Sequence, residues 1–164
     1  MGLAASVMQR PNALLAGMAA ACVAALGAAL LSQHVFDMPP CPWCVLQRLI
    51  FVVIALACVA GLAWRSATGR RVAATLALLL AASGVAAAAW QHWVAAKSQS
   101  CNLTLADRIV SAVKLDSLLP QVFYPYASCA DAAVDLLGVP YALWSLALFV
   151  LLGVAAVQVF RRAA

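Results

Sequence analysis

Charge is what this sequence has least of: 9% of its 164 residues are Asp, Glu, Lys or Arg, against about a quarter in an ordinary soluble domain. So few charged side chains cannot cover a surface facing water, which excludes an ordinary globular domain. A hydrophobic content of 67% excludes a disordered chain. The ten Lys and Arg outnumber the acids for a net charge of +5, yet they are spread too thinly to form a basic stripe, so a nucleic-acid binder is excluded as well. Also missing are a G-x-G-x-x-G dinucleotide signature, an internal repeat, and the alternating strands and helices of a thioredoxin fold. With a mean hydropathy of +1.02, the solvent that suits this chain is a lipid bilayer.

Four stretches approach the roughly 20 apolar residues a helix needs to cross about 30 Å of hydrocarbon. They run from about Ala13 to Leu31, Val45 to Trp64, Val72 to Val94 and Tyr141 to Phe160. The first is preceded by Arg10 but is longer than the core of a cleaved signal, usually about 7–15 residues, so we read it as a retained helix. The break from Trp64 to Arg71, with three arginines and a turn glycine, Gly69, is long enough only for a tight hairpin between antiparallel neighbours. The expected fold is an all-α membrane protein: one integral domain over residues 1–164, built as a bundle of four transmembrane helices.

The charges orient the bundle. Arg10, Arg65, Arg70, Arg71, Arg161 and Arg162 fall on one side, and all five acids, Asp37, Asp107, Asp116, Asp131 and Asp135, fall on the other. Basic residues collect on the cytoplasmic side, so both termini are expected there. Two loops then face the non-cytoplasmic side, one from about Ser32 to Cys44 and one from about Ala95 to Pro140. The second is too short to carry a core of its own and needs a membrane or a crosslink. Within it Thr104 to Asp107 fits a capping box, and Leu105, Ile109, Ala112 and Val113 recur at helical spacing, which predicts a short helix on the membrane surface. Pro120, Pro125 and Pro140 punctuate the rest.

Six cysteines are present, four of them in the outer loops: Cys41, Cys44, Cys101 and Cys129. An even number split between two exported segments points to disulfides, with three pairings open. Cys22 and Cys58 lie inside spans, where a free thiol acts as a small hydrophobe. Cys41-Pro42-Trp43-Cys44 opens the second span, and a C-x-x-C there brings its second sulfur near unpaired N–H groups and the positive end of the helix dipole. A zinc site normally shows a second close pair, and Cys101 and Cys129 are far apart in sequence, so redox chemistry is the better reading. No metal is expected at these residues.

Arg48 follows Cys44 by four residues, one turn deeper on the same helix face, where a cation needs a partner. Gln91-His92 near the outer end of the third span brings His92 to a similar depth. With Trp43, Trp90 and Trp93 these residues describe a pocket open to lipid, although Trp90 and Trp93 also fit an interfacial aromatic belt. A lipid-soluble two-electron acceptor with carbonyl oxygens, a quinone, suits a cation, an imidazole and a reactive sulfur.

These residues resemble the DsbB family, disulfide bond formation protein B. The resemblance covers nearly the whole chain and rests on Cys41-Pro42-Trp43-Cys44 with Gln47-Arg48, on Gln91-His92, and on Cys101 and Cys129. Pro120-Gln121-Val122-Phe123, Leu137-Gly138 and Trp144 add to it. It implies a relay that reoxidises the periplasmic thiol oxidase DsbA. Cys101 and Cys129 would form the disulfide that DsbA attacks, with Cys101 in the mixed disulfide. Exchange between Cys129 and Cys41 would free Cys44 to reduce ubiquinone from the membrane pool, with Arg48 and His92 holding the quinone. Menaquinone fits as well, since a cation and an imidazole do not read ring substituents. The competing readings are a four-helix membrane protein with a structural metal or inert disulfides, and a DsbB-like oxidase that serves another partner.

Overall fold

In hydrocarbon no water is available to the backbone, so an apolar stretch must satisfy its N–H and C=O groups internally, as a helix. The computed structural model describes residues 2–97 and 104–163, with side chains from Pro11 onward. Helices α1 (Gly2–Val35), α2 (Pro42–Ala63) and α3 (Ala67–Trp93) follow one another through short connections. Small elements come next: α4 (Leu105–Ala112), α5 (Leu115–Leu118), α6 (Pro120–Phe123), β1 (Asp135–Leu136) and β2 (Val139–Pro140). The last is α7 (Tyr141–Arg162). Among the described residues four helices, α1 from Pro11 onward, α2, α3 continued to Lys97, and α7, are long and apolar enough to cross a membrane.

The helices overrun the apolar runs that predict them. α3 begins at Ala67, five residues before Val72, because Ser66 caps it, its Oγ accepting from the Gly69 N–H at 2.9 Å. The reversal between α2 and α3 is therefore confined to Trp64, Arg65 and Ser66, with Arg65 in the left-handed region at φ 50°. Gly69 is not the turn glycine the sequence suggests. It lies in the first turn of α3, where a Cβ would come within 2.7 Å of the Trp64 side chain.

α3 packs against α2 and α7, and α1 lies against α2 and α7. The buried face of α3 is mostly small, with Ala73, Ala74, Ala77, Ala81, Gly84, Ala87 and Ala88, which lets the helix axes approach closely. At mid-height Gly84 leaves room for Phe149 of α7, whose ring stacks on Phe51 of α2 with centroids 4.2 Å apart and planes 5° from parallel. Cys22 and Cys58 are buried in this core.

The five aspartates all belong to the connections at one end of the bundle, while Arg65, Arg70, Arg71, Arg161 and Arg162 sit at the other. At the acidic end α4 has the predicted capping box, with Thr104 Oγ1 accepting from the Asp107 N–H and Asp107 Oδ2 accepting from the Thr104 N–H. Its Ala106 and Val110 are buried, and α4 packs on α2; Leu105, Ile109 and Val113 remain exposed as one apolar stripe. The two-stranded hairpin β1–β2 has no counterpart in the sequence reading. Its turn residues Leu137 and Gly138 both have positive φ, 55° and 78°, the geometry of a type I′ turn.

Candidate active site

Cys41 is the N-cap of α2. Its Sγ accepts from the Cys44 N–H at 3.3 Å, and the two sulfurs lie 2.7 Å apart. The first cysteine thus takes the helix-terminal N–H that the sequence reading assigns to the second. Cys44 Sγ finds its own donor across the bundle in Gln91 Nε2, at 3.1 Å. Gln91 is in turn held by Gln47, whose Nε2 donates to Gln91 Oε1 at 2.6 Å. Both amides are buried.

Cys129 comes to the same place from the long outer segment. The Tyr126 and Ala127 N–H groups both donate to the Pro40 carbonyl, at 3.0 and 3.3 Å, which pins that segment to the residue before Cys41. Ser128 and Asp131 close a tight turn around Cys129, with Ser128 Oγ donating to Asp131 Oδ2 at 2.6 Å and accepting from the Asp131 N–H. The Cys129 sulfur accepts from the Cys41 thiol and from the Trp43 N–H, which lowers its pKa below the ordinary thiol value. The same hydrogen bond, with a second to Cys44 and burial, raises Cys41 well above that value. Three sulfurs, Cys129, Cys41 and Cys44, therefore form a continuous row from the outer segment into α2. Cys101 lies outside the described residues.

The row ends at a partly open cavity of about 500 Å³, lined by α1, α2, α3 and α7 and by the segment around β1. Cys44, Arg48, Gln47, Gln91, Ser32 and Tyr141 line it with polar atoms; Ala29, Phe51, Leu148 and Leu151 supply apolar walls. Arg48 is 5% exposed, and its Nη1 donates to Gln33 Oε1 at 2.6 Å and to the Val122 carbonyl at 2.8 Å, its Nη2 to the Ala29 carbonyl at 3.2 Å. Its hydrogen-bond acceptors among the described residues are all neutral, and three of its five N–H groups are engaged. Ser32 Oγ and Tyr141 Oη are 3.3 Å apart on the same wall.

The structure brings Cys41, Cys44, Cys129 and Arg48 together, but the cavity differs from the pocket drawn from sequence. His92 does not line it; the ring is half-buried and packs edge-on against Trp93, with centroids 5.0 Å apart. Consecutive residues on a helix point about 100° apart, so Gln91 faces inward where His92 cannot. The aromatic wall is Phe51, Tyr141 and Trp144 rather than Trp43, Trp90 and Trp93. Trp90 and Trp93 are exposed, as a belt requires, and Trp43 is buried against Trp90 with centroids 6.4 Å apart. Gln47 and Gln91 carried a signal in the sequence, since a primary amide in an apolar span marks an interior polar contact. Tyr141 and Ser32 did not stand out.

The model of the family "Disulfide bond formation protein DsbB" matches residues 11–159. Among similar proteins, disulfide bond formation protein B 1 of Pseudomonas aeruginosa is 37% identical over 149 residues, covering 87% of this chain and 91% of that one. Disulfide bond formation protein B of Aromatoleum aromaticum is 35% identical over 155 residues, 92% of this chain and 93% of its own. That of Verminephrobacter eiseniae is 36% identical over 157 residues, 93% and 87% respectively. An end-to-end match to the family, on a four-helix chain whose outer cysteine meets a membrane-entry C-x-x-C, leads to one conclusion: the chain belongs to the DsbB family.

Proposed function

We propose that this protein reoxidises a DsbA-like periplasmic thiol oxidase and delivers the electrons to membrane ubiquinone, or to menaquinone where that is the pool. Disulfide bond formation is the family's activity, and the row Cys129–Cys41–Cys44 leading to an apolar cavity beside Arg48 is the observation that carries the finer reading.

The steps balance as thiol exchange. A thiolate of the reduced partner attacks the Cys101–Cys129 disulfide at Cys101, releasing the Cys129 thiolate. Cys129 attacks Cys41, the sulfur it already touches, and the Cys41–Cys44 bond breaks with Cys44 leaving as thiolate. The partner's second thiol closes its own disulfide and releases Cys101, which attacks Cys129 to restore the outer disulfide and free Cys41. Two electrons now reside on Cys41 and Cys44. A quinone held in the cavity would supply a two-electron, two-proton acceptor, so that Cys41 and Cys44 could give up their electrons and close their disulfide again.

The cavity's chemistry fits such a ligand: apolar walls for a ring and a tail, and Arg48, with two N–H groups beyond its contacts among the described residues, for a carbonyl oxygen. The basic end of the bundle, with both termini, then faces the cytoplasm, and the exposed stripe of α4 rests on the outer surface of a bacterial inner membrane.

The test is purified protein with reduced DsbA and a soluble ubiquinone analogue, following quinone absorbance. Consumption that requires both the dithiol protein and Cys44 supports the relay. Consumption unchanged in Cys44→Ser, or none by folded wild-type protein, refutes it.

A further inference from the structure

A primary amide inside an apolar bundle is costly unless both of its ends are bonded, and α3 carries one at Gln91, among alanines. Gln91 is 5% exposed and Gln47 is 4% exposed. Their bonds run in one direction. Gln47 gives an N–H to Gln91 Oε1, which commits that oxygen and leaves Gln91 Nε2 to face Cys44 Sγ. The opposite orientation would set a carbonyl oxygen against the sulfur. A thiolate accepts hydrogen bonds and has none to donate, so the amide is turned the way an anionic sulfur requires. The Cys44 N–H is engaged with Cys41, Arg48 directs three of its N–H groups elsewhere, and the Cys41 thiol 2.7 Å away has Cys129 as a second acceptor, so Gln91 is the amide donor aimed at this atom among the described residues.

We propose that Gln91 is a further catalytic residue, whose Nε2–H holds the Cys44 sulfur as an anion once the Cys41–Cys44 bond is opened, and that Gln47 is a positioning residue that keeps the N–H, and not the oxygen, turned to that sulfur. The inference rests on the relay reading, which makes Cys44 the sulfur released toward the cavity. Hydrogen bonding there offsets part of the cost of forming an anion in apolar surroundings, and it does so without adding charge to the cavity.

The measurement is alkylation of Cys44 in the fully reduced full-length protein in detergent, by iodoacetamide, resolved by peptide mass spectrometry across pH. Gln91→Met keeps the length of the side chain and removes the N–H. Its Cys44 rate at about pH 7 falls roughly tenfold or more and recovers at about pH 10, because the reagent reacts with the thiolate and a hydrogen bond to a charged group is worth that much. Gln47→Met lets the Gln91 amide turn over and gives a smaller fall. The double variant is no slower than Gln91→Met alone, since Gln47 acts only through Gln91.

A wild-type rate and pH profile in Gln91→Met overturns the catalytic role, and additive losses in the double variant overturn the positioning role. If Gln91→Met loses helical content, Gln47→Met decides, and an unchanged Cys44 rate there overturns both roles. Neither quinone nor thiol partner is present, so failure here leaves the relay standing. A Gln91 effect in a protein that reduces no quinone analogue would instead refute the relay alone.

Discussion

Arg48 Nη1 donates to the carbonyl oxygen of Val122 at 2.8 Å, so the cation near the start of α2 is bonded directly to the long outer segment. The same guanidinium holds Gln33 and the Ala29 carbonyl of α1. One side chain thereby joins two helices and the α6 turn while it lines the cavity. A lysine, with a single nitrogen, cannot span these acceptors.

Arg48→Met is expected to lower stability by about 1–3 kcal/mol, because Val122 and Gln33 lose buried partners. It should also slow reduction of a ubiquinone analogue by at least about tenfold, a transition-state loss of roughly 1.4 kcal/mol. His92→Ala removes a ring that lies off the cavity wall, and its rate should stay within about threefold of wild type. Thermal unfolding in detergent and the quinone assay measure the two effects; equal kinetic losses in both variants would contradict the cavity described here.

The hydrogen bond between the Cys41 thiol and the Cys129 sulfur predicts opposite pH behaviour for these two groups. Cys129, with its pKa lowered by the Cys41 hydrogen bond, should alkylate at a pH below that of an ordinary thiol, while Cys41 stays protonated and unreactive until well above it. Cys41→Ala removes the donor and should move the Cys129 profile upward; Cys41→Ser restores an O–H donor and should move it part of the way back. Site-resolved alkylation of reduced protein reads both. An unmoved Cys129 profile in Cys41→Ala would mean that the contact does not set its reactivity.

At the centre of the bundle a Cβ on Gly84 would lie 2.5 Å from the Phe149 ring, which is clamped against Phe51 on its other side. Gly84→Ala is therefore expected to destabilise by about 1–3 kcal/mol through overpacking. Phe149→Leu in the same chain should recover part of that loss. Additive thermal shifts in the double variant would show that the ring does not meet this position.

The outer hairpin carries local strain at Leu137, a non-glycine residue at φ 55° whose side chain is 88% exposed. Leu137→Asn, better suited to this region, should strengthen the turn by about 0.5–1 kcal/mol, and Gly138→Val, at φ 78°, should weaken it by more. The readout is hydrogen exchange at the Tyr141 N–H, which donates to the Val134 carbonyl at 3.0 Å just behind the hairpin. Slower exchange in Leu137→Asn and faster exchange in Gly138→Val are expected.

Much of the fold was legible because the bilayer leaves few options. Four apolar runs had to be helices, and short connections had to make the first three antiparallel neighbours. The Thr104–Asp107 capping box was legible for a similar reason, since it involves only neighbours in the chain. Helix ends were less so, because Ser66 starts α3 inside a segment whose arginines and glycine read as a turn. The β1–β2 hairpin was hidden by its length, two residues in each strand, too few to show alternation.

At the site, the local motifs were legible from the chain alone: a C-x-x-C at the mouth of a membrane helix, an arginine one turn deeper, and cysteines in a second outer segment. Which side chains face one another depends on how the helices pack and where the long segment closes. The rotation of α3 turns Gln91 inward and His92 aside, and the two N–H bonds to Pro40 carry Cys129 to Cys41 across 88 residues of chain. Helix rotation and loop closure are set by packing summed over many residues, here alanine faces and one Gly84–Phe149 contact, and no local motif encodes that sum.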